Sequence, residues 1–269
     1  MAFVRLRRIR GQALQIFTRN QLQWRAPPIH PEQAELFRVE WEKSGKPPVA
    51  AHDSYLVNLA SADSAIRERS VEAFAEEIRR CALLGIPFLV THPGSHAGGD
   101  RTEGLRLYVS HLDRAIYLSG EPGVAVLVET TAGQGSRLGS SLDEIALILE
   151  LSRFGERLGV CFDTCHAFAA GLDMRTADTY EETMGLFERS IGLGRLKLFH
   201  LNDSKRGIGS RVDRHEHIGK GQIGLEGFRC LLNDPRFRHH PMILETPKGK
   251  TLAQDRRNLR VLRSLIASD

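Results

Sequence analysis

The sequence predicts an α/β protein whose parallel strands close into a (β/α) barrel. Short apolar runs recur along the chain, and segments with helical periodicity separate most of them. Strands and helices that alternate in this way are typical of a parallel sheet. Seven such runs in 269 residues favour a closed barrel over an open sheet. No linker, low-complexity run or internal repeat interrupts the chain, so we expect a single domain over residues 1–269.

The strand candidates are rich in aliphatic and β-branched residues and show no clear alternation of apolar and polar side chains. That pattern is expected of strands that are covered on both faces. The seven runs are Ala13–Phe17, Val49–Ala51, Pro87–Val90, Val124–Val128, Gly159–Phe162, Leu196–Leu201 and Pro241–Leu244.

The clearest helix is predicted for Ser64–Leu84, whose apolar residues fall on one stripe. Asp63 or Ser64 can cap its start, and Gly85 can end it. The other helix candidates are Leu142–Leu151, Thr179–Ile191, Leu225–Leu232 and Leu252–Ile266.

The composition is ordinary for a globular protein, with 41% hydrophobic residues, 26% charged residues and a net charge of +4. The basic balance is only weak evidence for an acidic partner. No stretch approaches the roughly 18 apolar residues of a membrane helix, so we expect no membrane partner. The four cysteines form neither a CxxC pair nor a dense framework, which predicts reduced thiols in an intracellular compartment.

Nearly every strand candidate ends in a histidine or an acidic residue. The carboxyl ends of all strands in a barrel meet on one face, so these side chains would share one pocket. The stretch Leu196–His217 adds a polar loop that carries Asp213, His215 and four basic residues, which suit a phosphate-bearing substrate. The predicted ligands are His52, His92, Glu129, Asp163, His166, His200, Asp213, His215 and Glu245.

Five imidazoles and four carboxylates suit zinc or manganese. One zinc ion takes three or four protein ligands, so nine ligands predict a cluster of two or three ions with a bridging carboxylate. A single strand-end histidine is more often a hydrogen-bonded core residue than a ligand. The agreement of six strand ends argues against that alternative here, because buried unpaired charges are costly.

Long stretches of the chain, from about Gln12 to the end, resemble the endonuclease IV family of zinc-dependent apurinic/apyrimidinic endonucleases. The matching stretches are FTRNQLQWRAPP at Phe17–Pro28, HDSYLVNL at His52–Leu59, HPGSH at His92–His96, VLVETTAGQGSRLG at Val126–Gly139, GVCFDTCHAFAAGLD at Gly159–Asp173, FHLNDSK at Phe199–Lys205, GSRVDRHEHIGKGQIG at Gly209–Gly224 and ILETP at Ile243–Pro247. The arginine-containing, acid-free segment before Pro31 takes part in this match with its second half, which argues against a mitochondrial presequence.

The resemblance implies a (β/α)8 TIM barrel of the xylose-isomerase-like type that holds three zinc ions, with manganese as an alternative ion at one or more sites. It divides the ligands into His52, His92 and Glu129 for one ion, Glu129, Asp163, His200 and Glu245 for a second, and His166, Asp213 and His215 for the third. It also makes Glu129, as the bridge, and Glu245, which would orient or deprotonate the attacking water, the expected catalytic residues. The implied reaction is hydrolysis of the phosphodiester bond 5′ to an abasic site, which leaves a 3′-hydroxyl and a 5′-deoxyribose phosphate.

The implied partner is duplex DNA with abasic or 3′-blocked sites, in the bacterial cytoplasm and associated with the nucleoid. An abasic nucleotide lacks stacking and is extruded at lower cost than an intact one. Leu22 departs from the well-known bacterial member, which has arginine there, but an apolar wedge can still fill the gap. For Tyr55 and Leu56 the alternative role is core packing. The expected DNA contacts are Asn20, Leu22, Gln23, Tyr55, Leu56, Gln134 and Arg214.

A second departure concerns the beginning of the chain. Family members begin with a strand that ends in a Gly-Ala-His-type motif, whereas Met1–Arg10 is similar to the tail of the helix that follows it. We therefore expect the first strand to be missing and its two neighbours to present unpaired edges, which favour association. Full-length members are expected to be monomers. This chain is expected to be a truncated or misassigned reading of a longer protein that folds poorly or self-associates.

Two other function classes are compatible with parts of the pattern. Sugar isomerases with xylose-isomerase-like barrels also gather His, Asp and Glu at strand ends, but the Asn20–Trp24 and Tyr55-Leu56 loops and the third ligand set argue against them. A non-catalytic DNA-binding relative is the other alternative, and the complete ligand set argues against it.

Overall fold

The computed structural model describes residues 2–267 as a parallel sheet surrounded by helices. The strands are β1 (Leu14–Phe17), β2 (Val49–His52), β3 (Phe88–Thr91), β4 (Ala125–Glu129), β5 (Leu158–Asp163), β6 (Leu196–His200), β7 (Asp203–Ser204), β8 (His215–Glu216) and β9 (Met242–Ile243). The helices are α1 (Ala2–Ile9), α2 (Pro31–Glu42), α3 (Ser64–Leu84), α4 (Arg101–Ser119), α5 (Leu142–Leu151), α6 (Thr164–Ala170), α7 (Ala177–Ser190), α8 (Gly224–Leu232) and α9 (Ala253–Leu265).

The predicted barrel is confirmed as a nearly closed sheet of seven parallel strands in the order β1-β2-β3-β4-β5-β6-β9. The register aligns the carboxyl ends of neighbouring strands. Phe17 pairs with His52, Glu129 with Cys161, and Asp163 with His200. Because neighbouring strands end within two residues of each other, the side chains at their carboxyl ends converge at one end of the barrel.

The expected gap in the sheet lies between β1 and β9, and no strand among residues 2–267 fills it. Helix α1 lies outside this gap, where it buries Phe3 and Leu6 in the core. The Phe3 ring centroid is 5.1 Å from that of Phe37 in α2, and Arg256 of α9 donates a hydrogen bond of 3.3 Å to the Arg8 carbonyl. A packed helix therefore shields the gap from the outside. Poor folding and self-association remain predictions.

The apolar core has two parts. The larger part packs the outer face of the sheet against the helices. The smaller part fills the inside of the barrel with one residue from each of six strands: Ala50, Val90, Leu127, Cys161, Leu198 and Ile243. Ala13, just before β1, packs against this inner layer.

Two predicted helices, Ser64–Leu84 and Leu142–Leu151, have the expected boundaries. Asp63 caps the first by accepting hydrogen bonds from the backbone N–H groups of Ala65 and Ile66, and Gly85 ends it with a left-handed φ of 79°. Sequence periodicity did not reveal α2, which begins at Pro31, or α4. In the described part of the chain, no helix combines the length and hydrophobicity that crossing a membrane requires.

Candidate metal centre

The predicted ligands form a layer directly above the inner apolar layer. Side chains two residues apart on a strand point to the same face, so each ligand follows its apolar neighbour by two positions. This relation holds for all six strands that contribute to the inner apolar layer. The pairs are Ala50 and His52, Val90 and His92, Leu127 and Glu129, Cys161 and Asp163, Leu198 and His200, and Ile243 and Glu245.

Two further elements complete the set. His166 lies in α6, whose first turn is capped by the Asp163 carboxylate through the backbone N–H of His166 (2.8 Å). Asp213 and His215 come from a loop that returns to the barrel through pairing of β7 with β8. The buried Asp203 carboxylate fixes that loop, because it accepts hydrogen bonds of 2.9 Å from the N–H groups of both Gly219 and Gly221.

The structure brings all nine side chains together in three groups, each with potential ligand atoms within 4.8 Å of one another. The groups are His52, His92 and Glu129; Glu129, Asp163, His200 and Glu245; and His166, Asp213 and His215. Glu129 belongs to two groups, because its Oε2 lies 3.1 Å from His52 Nε2 and its Oε1 lies 3.0 Å from His200 Nδ1. This is the same division that the family resemblance implies. Their role as ligands remains a prediction.

The ionisable groups of the cluster strongly shift one another's pKa values. Burial alone raises the pKa of Glu129, but the imidazoles of His200 and His92 outweigh it and hold that pKa well below its usual range. Burial lowers the pKa of His200, yet the carboxylates of Glu129 and Glu245 raise it to about 9. Buried carboxylates that hold protons on imidazoles in this way are the setting in which divalent cations replace protons.

Four of the five histidines direct one ring nitrogen into the cluster and the other to an outer partner. His166 Nδ1 is 2.9 Å from the Thr130 carbonyl, and His215 Nδ1 is 3.2 Å from the Glu245 carbonyl. His52 Nδ1 is 3.0 Å from the Asp53 carbonyl, and His200 Nε2 is 2.8 Å from Gln15 Oε1. Outer partners of this kind fix the tautomer and orientation of imidazoles that ligate metals.

The surroundings of His92 indicate whether the residues suit metal ions. Its Nε2 atom is buried and has no hydrogen-bond partner among residues 2–267, although it lies 3.3 Å from Glu129 Oε2. A buried nitrogen left without a partner beside a carboxylate is explained by a cation between them. Together with the mixed imidazole and carboxylate donors, this orphaned atom shows that the site suits zinc or manganese.

Two cysteines lie next to the cluster. Cys161 and Cys165 each come close enough to two ligands to form an alternative metal-binding group. Burial raises the pKa of the Cys165 thiol to about 12 and that of Cys161 well above its usual range. Without a bound ion, both side chains are therefore protonated thiols.

The expected DNA contacts lie on loops that follow β1, β2 and β4 or precede β8, at the end of the barrel that carries the predicted ligands. Leu22 is 75% exposed and Tyr55 is 64% exposed, which rules out core packing for Tyr55, whereas Leu56 is half-buried. A hydrogen bond of 2.7 Å from Ser54 Oγ to the Gln21 carbonyl joins the loops that carry them. Asn20, Gln23, Gln134 and Arg214 are exposed, and the Gln134 side chain also accepts a hydrogen bond of 3.1 Å from the backbone of Asp213.

A buried ion pair anchors the Asn20–Trp24 loop. Arg19 Nε lies 3.5 Å from Glu77 Oε1 of α3, and both side chains are almost fully buried. Arg19 also donates to the backbone carbonyls of Gln23, at 2.8 Å, and Trp24. Burial raises the pKa of Glu77 to about 7, against the lowering effects of a hydrogen bond from Thr18 and two nearby guanidinium groups. The carboxylate is therefore ionised mainly above neutral pH.

Sequence reasoning missed the residues that support the ligands. Asn202 donates a hydrogen bond of 2.6 Å to Asp163 and accepts one of 2.9 Å from the Glu245 backbone. Gln15 contacts both Glu245 and His200. The spacing of two residues that places each ligand after an inner apolar residue also places Gln15 after Ala13, so this signal was present in the sequence. Arg19 and Glu77 had no such signal, because the contact depends on how α3 packs on the loop.

Comparisons with known proteins agree on one family. A family model described as a xylose isomerase-like TIM barrel matches residues 5–265. The chain is 50% identical to a Chloroflexus aurantiacus protein named probable endonuclease 4, over 98% of this chain and 93% of that relative. It is similar to the crystal structure of endonuclease IV from Thermus thermophilus, with 37% identity and a TM-score of 0.86 over 98% of this chain and 92% of that chain.

A more distant similarity concerns the fold alone. D-psicose 3-epimerase from Clostridium cellulolyticum is 14% identical to this chain, with a TM-score of 0.65. The match covers 97% of this chain and 84% of that chain.

Proposed function

The chain belongs to the endonuclease IV family within the xylose isomerase-like TIM barrels, and we propose that it hydrolyses the phosphodiester bond 5′ to abasic sites in duplex DNA. The products are a 3′-hydroxyl and a 5′-deoxyribose phosphate. The observation that carries this proposal is the convergence of nine imidazole and carboxylate side chains in three groups beneath exposed loops.

Three divalent ions, zinc or manganese, would be held by the three groups, with Glu129 shared between two of them. Such ions lower the pKa of water and offset the negative charge of a phosphodiester. The buried members, which form the floor of the site, are His52, Glu129, Asp163, His166 and His200. His92, Asp213 and Glu245 are partly exposed and form its open side, where a phosphate can enter.

Glu245 is suited to orient or deprotonate the attacking water. Its side chain is 26% exposed, so it is the most accessible carboxylate of the second group. Its Oε2 atom faces into the site, 3.2 Å from His200 Nδ1. A carboxylate in this position can hold a water within hydrogen-bond reach and accept its proton, as a general base must. Glu129 is buried among imidazoles and has no free face for this role.

The exposed loops are suited to recognise the lesion. Leu22 and Tyr55 offer apolar surface that can stack in the gap left by the missing base. Arg214 and the other basic residues of the same loop can pair with phosphates. Extrusion of an abasic nucleotide is less costly than extrusion of an intact one, which favours abasic or 3′-blocked sites in duplex DNA as substrates. A DNA substrate agrees with the expected location at the bacterial nucleoid, and we expect a full-length member to act as a monomer.

Sugar isomerisation remains the alternative from another class, because an epimerase shares the fold. Its identity of 14% carries no further argument. The third group, His166, Asp213 and His215, and the apolar loop tip at Leu22 have clear roles in the nuclease. Intact ligand groups also argue against a DNA-binding relative without activity.

The test compares cleavage of three duplexes of one sequence, which carry an abasic site, an intact base or a nick with a 3′ block. We expect cleavage 5′ to the abasic site and removal of the 3′ block, both abolished by a chelator and restored by zinc or manganese. His92→Ala should abolish cleavage, whereas His239→Ala, at an exposed histidine outside the cluster, should not. Equal cleavage of the intact duplex, or unchanged activity of His92→Ala, would contradict the proposal.

A further inference from the structure

Gln15 occupies the position on β1 that metal ligands occupy on the other six strands of the sheet. It follows Ala13 by two residues, as each strand-end ligand follows its residue of the inner apolar layer. Its side chain therefore points into the barrel at the level of the ligands. An amide is a weak metal ligand beside so many imidazoles and carboxylates, so its position calls for another role.

The Gln15 amide bridges two side chains of the second metal-binding group. Its Nε2 donates a hydrogen bond of 2.7 Å to Glu245 Oε1, and its Oε1 lies 2.8 Å from His200 Nε2. An ionised carboxylate only accepts hydrogen bonds, so the NH2 group must face Glu245 and the oxygen must face His200. His200 then carries its proton on Nε2 and donates it to Gln15.

This arrangement leaves the ligand atoms free. When a divalent ion displaces the proton on Nδ1, the Nε2 proton stays hydrogen-bonded to Gln15, and the Nδ1 lone pair is on the side of Glu129 Oε1, at 3.0 Å, and Glu245 Oε2, at 3.2 Å. Gln15 contacts only the opposite atoms, Nε2 of His200 and Oε1 of Glu245. One amide thus fixes the orientation of both side chains without competing for an ion.

The Gln15 bridge lies at the gap between β1 and β9. Glu245 follows β9, which pairs with β6 on one side and, within residues 2–267, with no strand on the other. On the β6 side, Asn202 holds the Glu245 backbone. On the side of the gap, Gln15 from β1 makes the contact to the Glu245 carboxylate. The hydrogen bond therefore joins the two edges of the open sheet at the level of the site.

We propose that Gln15 is a positioning residue that holds the side chains of Glu245 and His200 in place across the gap in the sheet. It thereby helps to retain the ion of the second group and to orient the general base. This inference rests on the proposed function for its catalytic part. Its structural part, retention of one ion, does not depend on which substrate is cleaved.

The test uses Gln15→Leu, which keeps the volume of the side chain and removes both hydrogen bonds, and Gln15→Glu, which sets a second carboxylate against Glu245. Gln12→Leu, at an exposed glutamine three residues away, is the matched control. Circular dichroism and thermal unfolding identify the variants that fold. The first readout is the number of zinc ions retained against increasing chelator concentration. The second is the separate measurement of kcat and KM on the abasic duplex.

In Gln15→Leu we expect one ion per chain to be lost at about tenfold lower chelator concentration, because loss of an outer partner typically weakens metal binding or activity by about 10- to 100-fold. We expect kcat to fall by about tenfold or more, with KM changed less than twofold, since the DNA-binding loops are untouched. Gln15→Glu should also lower ion retention and kcat, and Gln12→Leu should match the unaltered protein in both. A folded Gln15→Leu or Gln15→Glu protein with unchanged ion retention and kcat would overturn the inference. If the unaltered protein fails to cut abasic DNA, the proposed function fails, whereas the chelator titration still decides the role of Gln15.

Discussion

Glu129 and His200 face each other inside the barrel, with Oε1 of the carboxylate 3.0 Å from Nδ1 of the imidazole. The other oxygen of Glu129 faces His52 and His92 at 3.1 and 3.3 Å. One carboxylate therefore connects two groups of predicted ligands. Removal of Glu129 should therefore affect both groups.

Glu129→Ala should remove a ligand from two ions at once. We expect metal analysis of the folded variant to show at least one ion fewer per chain, and cleavage of abasic duplex to fall below detection. Binding to abasic DNA, measured by fluorescence anisotropy, should partly survive because the exposed loops remain. A variant that retains its full metal content and measurable cleavage would show that Glu129 does not bridge.

Leu22→Ala should have the opposite effect. Truncating an exposed apolar tip that enters the duplex should raise the Kd for abasic duplex about tenfold, since full burial of a leucine side chain is worth about 1.5–3 kcal/mol. The metal content should stay unchanged. Leu36→Ala, at another exposed leucine on α2, is the matched control and should leave the Kd unchanged. Equal effects of Leu22→Ala and Leu36→Ala would exclude Leu22 from DNA recognition.

Glu77→Gln tests the anchor of the same loop. Above neutral pH, where Glu77 is ionised, removing its charge leaves the buried Arg19 guanidinium without its counterion, which typically costs about 3–5 kcal/mol. The free energy of unfolding should fall by that order, and a protease should cut the Asn20–Trp24 loop faster. The control is Glu76→Gln, which removes the exposed ion pair between Glu76 and Arg79 on the same helix. It should lower the free energy of unfolding by less than about 1 kcal/mol. Similar losses for both variants would refute the anchoring role of Glu77.

The metal-free protein should lose stability as the pH rises. The pKa of His200 is raised from 6.5 to about 9 in the fold, so the protonated imidazole stabilises the folded state fully below pH 6.5, and this stabilisation declines above pH 6.5 and is lost as the pH rises through 9. Urea unfolding of the chelated protein should show this decline, and His200→Gln should make it less steep, since the pKa values of His52 and His166 are raised as well. Zinc replaces the proton, so the stabilisation by zinc should grow over the same range. A metal-free protein whose stability rises between pH 6.5 and 9 would contradict this assignment of charge.

Leu6→Ala tests whether α1 closes the gap in the sheet. Leu6 is 5% exposed and packs in the main core, so its truncation should lower the free energy of unfolding by about 2–5 kcal/mol. Exposure of the free edges of β1 and β9 should also increase self-association, which sedimentation velocity measures. If Leu6→Ala is as stable and as monomeric as the unaltered protein, α1 is not required to cover the gap.

The barrel and the ligand layer could be predicted because both depend on local patterns. The strand runs and the polar residue that ends each of them lie within a few positions of one another, and parallel pairing then brings the ends together. Gln15 was missed because an amide is only a weak ligand for zinc, although its spacing from Ala13 was informative. The Arg19 and Glu77 pair could not be predicted, because the two side chains are far apart in the sequence and only the packing of α3 brings them into contact.

The most direct test is the number of divalent ions in purified protein that is active on abasic duplex, determined by plasma mass spectrometry against the protein concentration. Nine ligands in three groups predict about three ions of zinc or manganese per chain. A folded and active preparation that holds no more than one ion would contradict the trinuclear centre.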